Sequence, residues 1–215
     1  GGFKRKSTNL ITGGTGSGKS ILALQFLING INKKEKCLYI SFEESKETFY
    51  TNAKKMGWDL EKLEKQKKFF YLEYTPKKVQ TMIEEGGGII ESLVLQEKIS
   101  RIIIDSLASF VMLFKDELKK REATLPLFNL LKGWDCTTIL TFEGKFKNSE
   151  SSATRVLEFE SDSIIELYFI RAKNERKRYL EVIKMRGTKH STKLHEFQIA
   201  SGGIKLSKKP FNGDI

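Results

Sequence analysis

The sequence predicts an α/β fold in which a mainly parallel sheet, flanked by helices, is followed by a C-terminal antiparallel β meander. In the front half of the chain, apolar runs rich in β-forming residues alternate with helical patterns, which is typical of parallel strands joined by helices. In the back half, apolar runs follow one another with only turns between them. At 215 residues, the chain is expected to form a single domain over 1–215.

The composition indicates a folded globular protein, with 39% hydrophobic and 30% charged residues. The net charge of +11 suits a polyphosphate or nucleic-acid partner but is weak support for either. No apolar run approaches the ~20 residues of a membrane span, so no membrane association is expected. Cys37 and Cys136 lie outside any metal-ligand spacing, which favours small core residues in a reducing, cytoplasmic setting. The chain enters its first predicted strand within a few residues of Gly1, which suggests that an N-terminal segment is missing.

The predicted elements follow from apolar runs and punctuating residues. A helix is expected after Ser45, its N-cap, and ends near Gly57. Three glycines at 86–88 would cost a helix interior roughly 2–3 kcal/mol, so the segment 77–98 is expected to hold a loop or two helices. A further helix is expected over 116–132. The predicted strands are 9–12, 37–42, 69–74, 101–106, 136–143, 164–170, 179–185 and 196–199.

The segment from Gly13 to Ser20 matches the pattern G-x-x-x-x-G-K-[ST] in full. It lies between an apolar strand and an apolar helix, which is the context that gives the pattern a phosphate-binding meaning. Backbone N–H groups and the helix N-terminus would hold phosphate oxygens, Lys19 would reach the β- and γ-phosphates, and the Ser20 hydroxyl would hold Mg²⁺. The expected ATP-binding residues are Gly14, Thr15, Gly16, Ser17, Gly18, Lys19, Ser20 and Ile21.

Acidic residues end two of the predicted strands. Asp105 follows a strongly apolar strand, where a carboxylate can hold the Mg²⁺ shell beside Ser20; the alternative is an N-cap for the next turn. Glu43 and Glu44 end the predicted strand 37–42, which should lie near the phosphate loop, where a carboxylate can orient and deprotonate the attacking water. For this pair, exposed acids placed before a helix are an equally good interpretation.

Four segments together resemble the KaiC-type branch of the RecA/RadA ATPases. They are 39–45, 57–60, 104–107 and 184–190, and the resemblance extends over about 1–206, the length of one KaiC domain. It implies a RecA-like P-loop NTPase core, a Mg²⁺-dependent ATPase and, by analogy with single-domain relatives, an archaeal source.

The resemblance also implies roles for residues that the pattern alone leaves open. Glu43 and Glu44 would be the catalytic glutamate pair. The chain would form a homo-oligomer, expected to be a hexameric ring, with ATP at the subunit interfaces. Lys184 and Arg186 would contact the γ-phosphate held by the neighbouring subunit, as an arginine finger does. Turnover would drive a conformational change or the binding of a protein partner that the sequence does not identify.

One departure from the family pattern concerns autophosphorylation. The clock protein phosphorylates an adjacent Ser-Thr pair, and the corresponding positions here are Glu158 and Phe159. We therefore expect ATP hydrolysis without an autokinase cycle.

Two other function classes follow from the same sequence. A DNA-binding recombinase paralogue would use loops at 110–119 and 144–154, the second containing Lys145, Phe146 and Lys147 with Arg155 beyond it. A solvated loop is the stronger interpretation of that segment. A non-hydrolysing ATP-binding scaffold is disfavoured because Glu43, Glu44 and Asp105 are all present.

Overall fold

A computed structural model describes residues 2–144, 152–172 and 174–211. Its helices and strands alternate along the front of the chain as the sequence predicts. The strands are β1 Thr8–Gly13, β2 Lys36–Ser41, β3 Phe69–Glu73, β4 Ile99–Asp105, β5 Thr137–Glu143, β6 Ser163–Ala172, β7 Glu175–Met185, β8 His195–Ala200 and β9 Gly203–Leu206. The helices are α1 Lys19–Asn32, α2 Lys46–Lys55, α3 Leu60–Lys65, α4 Pro76–Glu84, α5 Gly88–Glu97, α6 Leu107–Val111, α7 Glu117–Gly133 and α8 Ser152–Glu160.

All the described strands belong to one sheet with the order β3-β2-β4-β5-β1-β6-β7-β8-β9. The pairs from β3 to β6 are parallel, whereas β6-β7, β7-β8 and β8-β9 are antiparallel. The prediction of a mainly parallel sheet followed by a β meander is therefore confirmed. Strand β1 lies between β5 and β6, so the predicted phosphate loop that follows it begins at an interior strand rather than at an edge strand.

Each face of the parallel sheet carries its own apolar core. Leu10 and Ile104 pack on one face, and their neighbours Ile11 and Ile103 pack on the other, and all four side chains are buried. Alternate residues of a strand point to opposite faces, so strands covered on both sides are apolar throughout. Helix α1 covers the Ile11 face through Ala23, Leu24 and Leu27, which places its N-terminus at the carboxyl edge of the sheet.

Local signals in the sequence explain most element boundaries. Ser45 is the N-cap of α2 and accepts a hydrogen bond from the Thr48 N–H, as predicted. The glycine run separates α4 from α5, and Gly87 is the N-cap of α5 with φ +112°. The short elements α6, α8 and β9 were not predicted, because each is too short or too polar to produce a clear period.

The segment 144–154, predicted to be a polar loop, is only partly described. Gly144 forms a β-bridge with Gly13, and its carbonyl accepts a hydrogen bond from the Thr12 hydroxyl at 2.7 Å. Helix α8 begins at Ser152. Residues 145–151 lie outside the described residues. In the described part of the chain, no helix has both the length and the apolar character needed to cross a membrane.

Gly13 has a backbone position that other residues cannot adopt without strain. Its φ is +149°, and a Cβ there would lie 2.3 Å from the backbone oxygen of Leu167 in β6. We predict that Gly13→Ala lowers the free energy of unfolding by about 2–3 kcal/mol, because backbone atoms must move to admit the methyl group. Urea unfolding without nucleotide measures the change.

Gly14→Ala is the matched control, since a Cβ at Gly14 meets nothing within 4 Å. It should change the free energy of unfolding by less than about 1 kcal/mol. Equal losses in the two variants would contradict the steric explanation.

Candidate active site

The carboxyl ends of four parallel strands meet at one edge of the sheet, which is where α/β proteins place their sites. Gly13, the last residue of β1, pairs with Glu143 at the end of β5. Ser41, the last residue of β2, pairs with Asp105 at the end of β4. The predicted phosphate loop, the predicted glutamate pair and the predicted metal ligand are therefore brought to the same edge.

The predicted phosphate loop leaves β1 and enters α1 without interruption. Lys19 folds back over the loop, where its ammonium donates to the Gly13 carbonyl at 2.9 Å and to the Gly14 carbonyl at 3.0 Å. Ser20 is exposed and Ile21 is half-buried. The loop contains, in order, Gly14, Thr15, Gly16, Ser17 and Gly18, with Lys19, Ser20 and Ile21 in the first turn of α1.

Three carboxylates act on Lys19. Burial lowers the pKa of Lys19, and the charges of Glu143, Asp105 and Glu43 oppose that decrease. Acids from the ends of β5 and β4 and from the residues after β2 are thus close enough to the lysine to influence its protonation. Lys19 and these three carboxylates therefore form one group of interacting charges at the carboxyl edge of the sheet.

Asp105 is held through its side chain rather than serving as a helix cap. The Tyr39 hydroxyl donates to Asp105 Oδ2, and the Thr141 hydroxyl donates to Asp105 Oδ1. The N-cap of α6 is Ser106, whose Oγ accepts from the Ala108 N–H at 3.2 Å. The N-cap interpretation of Asp105 is therefore wrong, and its carboxylate faces the same side of the sheet as Lys19. Ser106 and Thr141 are both buried.

Glu43 and Glu44 point their side chains in different directions. The Glu43 carboxylate accepts a hydrogen bond from Ser109, whereas the Glu44 carboxylate accepts one from Asn52 of α2 at 2.9 Å. The Glu44 carbonyl also accepts from the Ser41 hydroxyl at 2.9 Å and from the Tyr71 hydroxyl at 2.7 Å. The Glu44 backbone is thus held in place, and both residues precede the Ser45 cap rather than lying in the first turn of α2.

Lys184 and Arg186 lie far from the phosphate loop of their own chain. Met185 pairs with Ser163 at the start of β6, and the Arg186 N–H donates to the Asp162 carbonyl at 2.8 Å. Arg186 is thus level with Thr8 at the amino edge of the parallel sheet, roughly 16 Å from Gly13 at about 3.3 Å per residue along β1, and Lys184 is level with Leu10, roughly 10 Å from Gly13. Lys184 belongs to β7, within the predicted strand 179–185, and is half-buried, whereas Arg186 follows the strand and is exposed.

Both cations contact the end of α8. The Lys184 ammonium donates to the Glu158 carbonyl, and the Arg186 guanidinium donates to the Phe159 carbonyl. Burial and the neighbouring Arg186 charge lower the pKa of Lys184. Cations at the last carbonyls of a helix interact favourably with its negative end.

A family model described as "ATPase: KaiC" matches residues 1–210. This chain belongs to the KaiC family of ATPases. A similar solved structure is the KaiC-like protein PH0186 from the archaeon Pyrococcus horikoshii OT3, with 33% identity and a TM-score of 0.82, covering 96% of this chain and 92% of that one. The resemblance and the fold class predicted from the sequence are confirmed.

Curated relatives are longer than this KaiC-family chain. It is 31% identical over 206 residues to the circadian clock protein KaiC3 of Synechocystis, covering 93% of this chain and 41% of the relative. It is 30% identical over 213 residues to the circadian clock oscillator protein KaiC of Synechococcus elongatus, covering 96% of this chain and 41% of the relative. The chain thus spans about two fifths of the length of these relatives.

The structure adds site residues that sequence analysis missed. The Glu143 carboxylate accepts a hydrogen bond from the Thr15 hydroxyl in the phosphate loop. The Arg178 guanidinium donates to the Gly16 carbonyl at 3.1 Å and lies 4.1 Å from the centre of the Phe169 ring. Glu143 ends a strand as Asp105 does, so the same signal could have found it. Arg178 has no such signal, because its position depends on the β6-β7 register.

The residues present fit a nucleotide with Mg²⁺. Gly16 and Gly18 have φ of +72° and +105°, which lets the loop backbone curve tightly. The buried Ser17 hydroxyl has no hydrogen-bond partner among the described residues. The Ser20 hydroxyl and the Asp105 carboxylate are oxygen donors of the kind Mg²⁺ prefers. The described residues contain no cluster of three metal-ligating side chains, and Mg²⁺ bound with phosphates does not require one.

We predict that Glu143→Gln makes Lys19 more reactive towards an acylating reagent at pH 8.5. Glu143 is the carboxylate that raises the pKa of Lys19 most, so its neutralisation should lower that pKa and enlarge the neutral amine fraction. A roughly two- to tenfold faster acylation is expected, since one pKa unit is a tenfold change. Trace labelling of nucleotide-free protein with peptide mass spectrometry measures the rate.

Glu97→Gln is the control, because Glu97 pairs with Lys36 at 2.7 Å and does not act on Lys19. Lys19 should react at the wild-type rate in that variant. A rate in Glu143→Gln that is unchanged or slower would show that the carboxylate does not act on Lys19.

Proposed function

We propose that this KaiC-family chain binds ATP together with Mg²⁺ and hydrolyses it. The observation that carries the proposal is the grouping of Lys19 with Asp105, Glu43 and Glu143 at the carboxyl edge of the sheet. A lysine held beside a glycine-rich loop and a strand-end carboxylate is the arrangement that P-loop ATPases use for phosphoryl transfer.

Each residue has a distinct role in this proposal. The loop N–H groups and Lys19 bind the phosphates, and Ser20 and Asp105 hold Mg²⁺, which neutralises phosphate charge when bound. Glu43 and Glu44 orient the attacking water and accept its proton. The hydrogen bonds to the Glu44 backbone support this role, because a positioned base needs no rearrangement at the moment of reaction.

We further propose that the site is completed by a second copy of the chain in a ring, with a hexamer as the expected form. Arg186 lies at the opposite edge of the sheet from Gly13, and both Lys184 and Arg186 donate to the end of α8 rather than to the loop of their own chain. A cation supplied by a neighbour would stabilise the charge on the transferring phosphoryl group.

Turnover is proposed to drive a conformational change or the binding of a protein partner. This part of the proposal rests on the family resemblance, and the partner is not identified by the residues. A cytoplasmic location and an archaeal source also stay predictions from the sequence.

Mixing two inactive variants tests the shared site. Lys19→Ala removes the loop lysine, and Arg186→Ala removes the cation offered to the neighbour, so each alone should lose about 10³-fold in ATPase rate or more. In a 1:1 mixture, about half of the copies keep Lys19, and about half of their neighbours keep Arg186. A site therefore has both residues with a probability of about one quarter, and roughly a quarter of wild-type activity is expected. Phosphate release measures the rate, and gel filtration with ATP and Mg²⁺ confirms assembly.

Lys193→Ala is the matched control, since Lys193 is an exposed cation nearby in sequence that has no role in the proposal. It should be fully active alone and should give about half of wild-type activity when mixed with Lys19→Ala. A Lys19→Ala and Arg186→Ala mixture no more active than its separate components would contradict the shared site.

Autophosphorylation is not expected. Glu158 and Phe159 form the last turn of α8 and carry no hydroxyl group at the positions that correspond to the clock protein's Ser-Thr pair. Incubation with γ-labelled ATP and Mg²⁺ should leave the chain without stoichiometric label, while labelled phosphate is released. One label per chain would refute this expectation.

DNA binding is the alternative function. In its first candidate loop, 110–119, Lys119 lies 3.7 Å from Asp116, and Lys120 just beyond the loop pairs with Glu117 at 2.6 Å. Such pairs reduce the positive charge available to a phosphate backbone. The second candidate loop lies largely at 145–151, outside the described residues. The ion pairs of the first loop therefore make it a weaker candidate for DNA binding.

A further inference from the structure

The Asp105 carboxylate is held on both of its oxygens. Tyr39 donates from β2 to one oxygen, and Thr141 donates from β5 to the other. Strand β4 lies between β2 and β5, so the two donors approach from opposite sides. A carboxylate has about four lone-pair sites, so each oxygen keeps capacity for a metal ion or its water.

The sheet register explains why Tyr39 reaches Asp105. Ser41 pairs with Asp105, and Tyr39 pairs with Ile103. Tyr39 therefore lies two residues before the partner of Asp105 and on the same face of the sheet. Diagonal neighbours of this kind lie within reach of an aromatic side chain. A shorter hydroxyl side chain at position 39 would not span the gap.

Packing fixes the Tyr39 ring independently of Asp105. The side chain is 1% exposed, and its ring centre lies 4.3 Å from that of Phe49 and 5.7 Å from that of Tyr71, which stacks on it at 14°. The ring cannot turn away without disturbing this cluster. The hydroxyl is therefore presented at a fixed point, and phenylalanine would keep the packing while losing only the donor.

We propose that Tyr39 is a positioning residue that orients the Asp105 carboxylate for Mg²⁺ beside Ser20. The inference rests on the proposed ATPase function. It gives Tyr39, a residue buried in the core, an indirect role in metal binding. Without the phenol, Asp105 keeps one donor and can rotate about its terminal bond, so metal binding should weaken while nucleotide contacts made by the phosphate loop stay intact.

Metal affinity in the ADP complex tests the proposal without relying on turnover. Mn²⁺ replaces Mg²⁺ as the probe, and its dissociation constant is measured by electron paramagnetic resonance. Tyr39→Phe should weaken Mn²⁺ binding about tenfold, the lower end of the range for outer-shell partners of metal ligands. The affinity for fluorescently labelled ADP in EDTA should equal that of the wild type, because Tyr39→Phe leaves the loop residues and the Asp105 charge unchanged.

Tyr71→Phe is the matched control. It removes the same atom from the ring stacked on Tyr39, but that hydroxyl donates to the Glu44 carbonyl instead of Asp105. Its Mn²⁺ affinity should equal that of the wild type. In an Asp105→Asn background, adding Tyr39→Phe should cause no further loss, because the phenol acts only through the carboxylate.

Three results would overturn the inference. They are wild-type Mn²⁺ affinity in Tyr39→Phe, an equal loss in Tyr71→Phe, or a persistent effect of Tyr39→Phe in the Asp105→Asn background. The last comparison stays decisive even where the variant melts at a lower temperature. A wild-type chain that binds no nucleotide and no Mn²⁺ would instead refute the proposed function, and the inference would fall with it.

Discussion

The register between the parallel strands is the constraint on which the rest of this structure depends. It sets Ser41 beside Asp105 and Gly13 beside Glu143, so that the carboxyl ends of these strands meet at the edge of the sheet that carries the candidate site. A slip of β4 by one residue would turn Asp105 to the opposite face of the sheet, away from Lys19. Burial prevents the slip, because Ile103 and Ile104 fill separate cores on the two faces, and each fully buried side chain contributes about 1.5–3 kcal/mol.

The same core also determines the shape of the site. Two stacked tyrosines in neighbouring strands each extend a hydroxyl from the apolar interior, Tyr39 to Asp105 and Tyr71 to the Glu44 carbonyl. Hydrogen bonds of this kind are stronger in a region of low dielectric than in water. The positions of the Asp105 carboxylate and of the Glu44 backbone therefore follow from aromatic packing beneath α2.

The positions of residues that belong to short sequence motifs could be predicted from the sequence. The phosphate-loop pattern, the strand-end acids and the Ser45 cap are each defined by neighbours a few residues apart, and the structure places them as expected. Arg178 beside Gly16 and Tyr39 beside Asp105 could not be predicted, because both contacts cross between strands and require the register. The N-cap alternative for Asp105 was open for the same reason. The roles proposed for Lys184 and Arg186 rest on the family resemblance.

The separation of Lys184 and Arg186 from Gly13 gives the chain two unlike ends, one that presents a phosphate loop and one that presents cations. Copies joined through such ends associate head to tail, and this kind of contact closes into a ring or continues as a filament. In an open row of copies, the terminal loop always lacks a neighbour. Under the proposed arrangement, only a closed ring gives every copy a complete site. A ring would therefore have a higher ATPase activity per copy than an open row of the same chains.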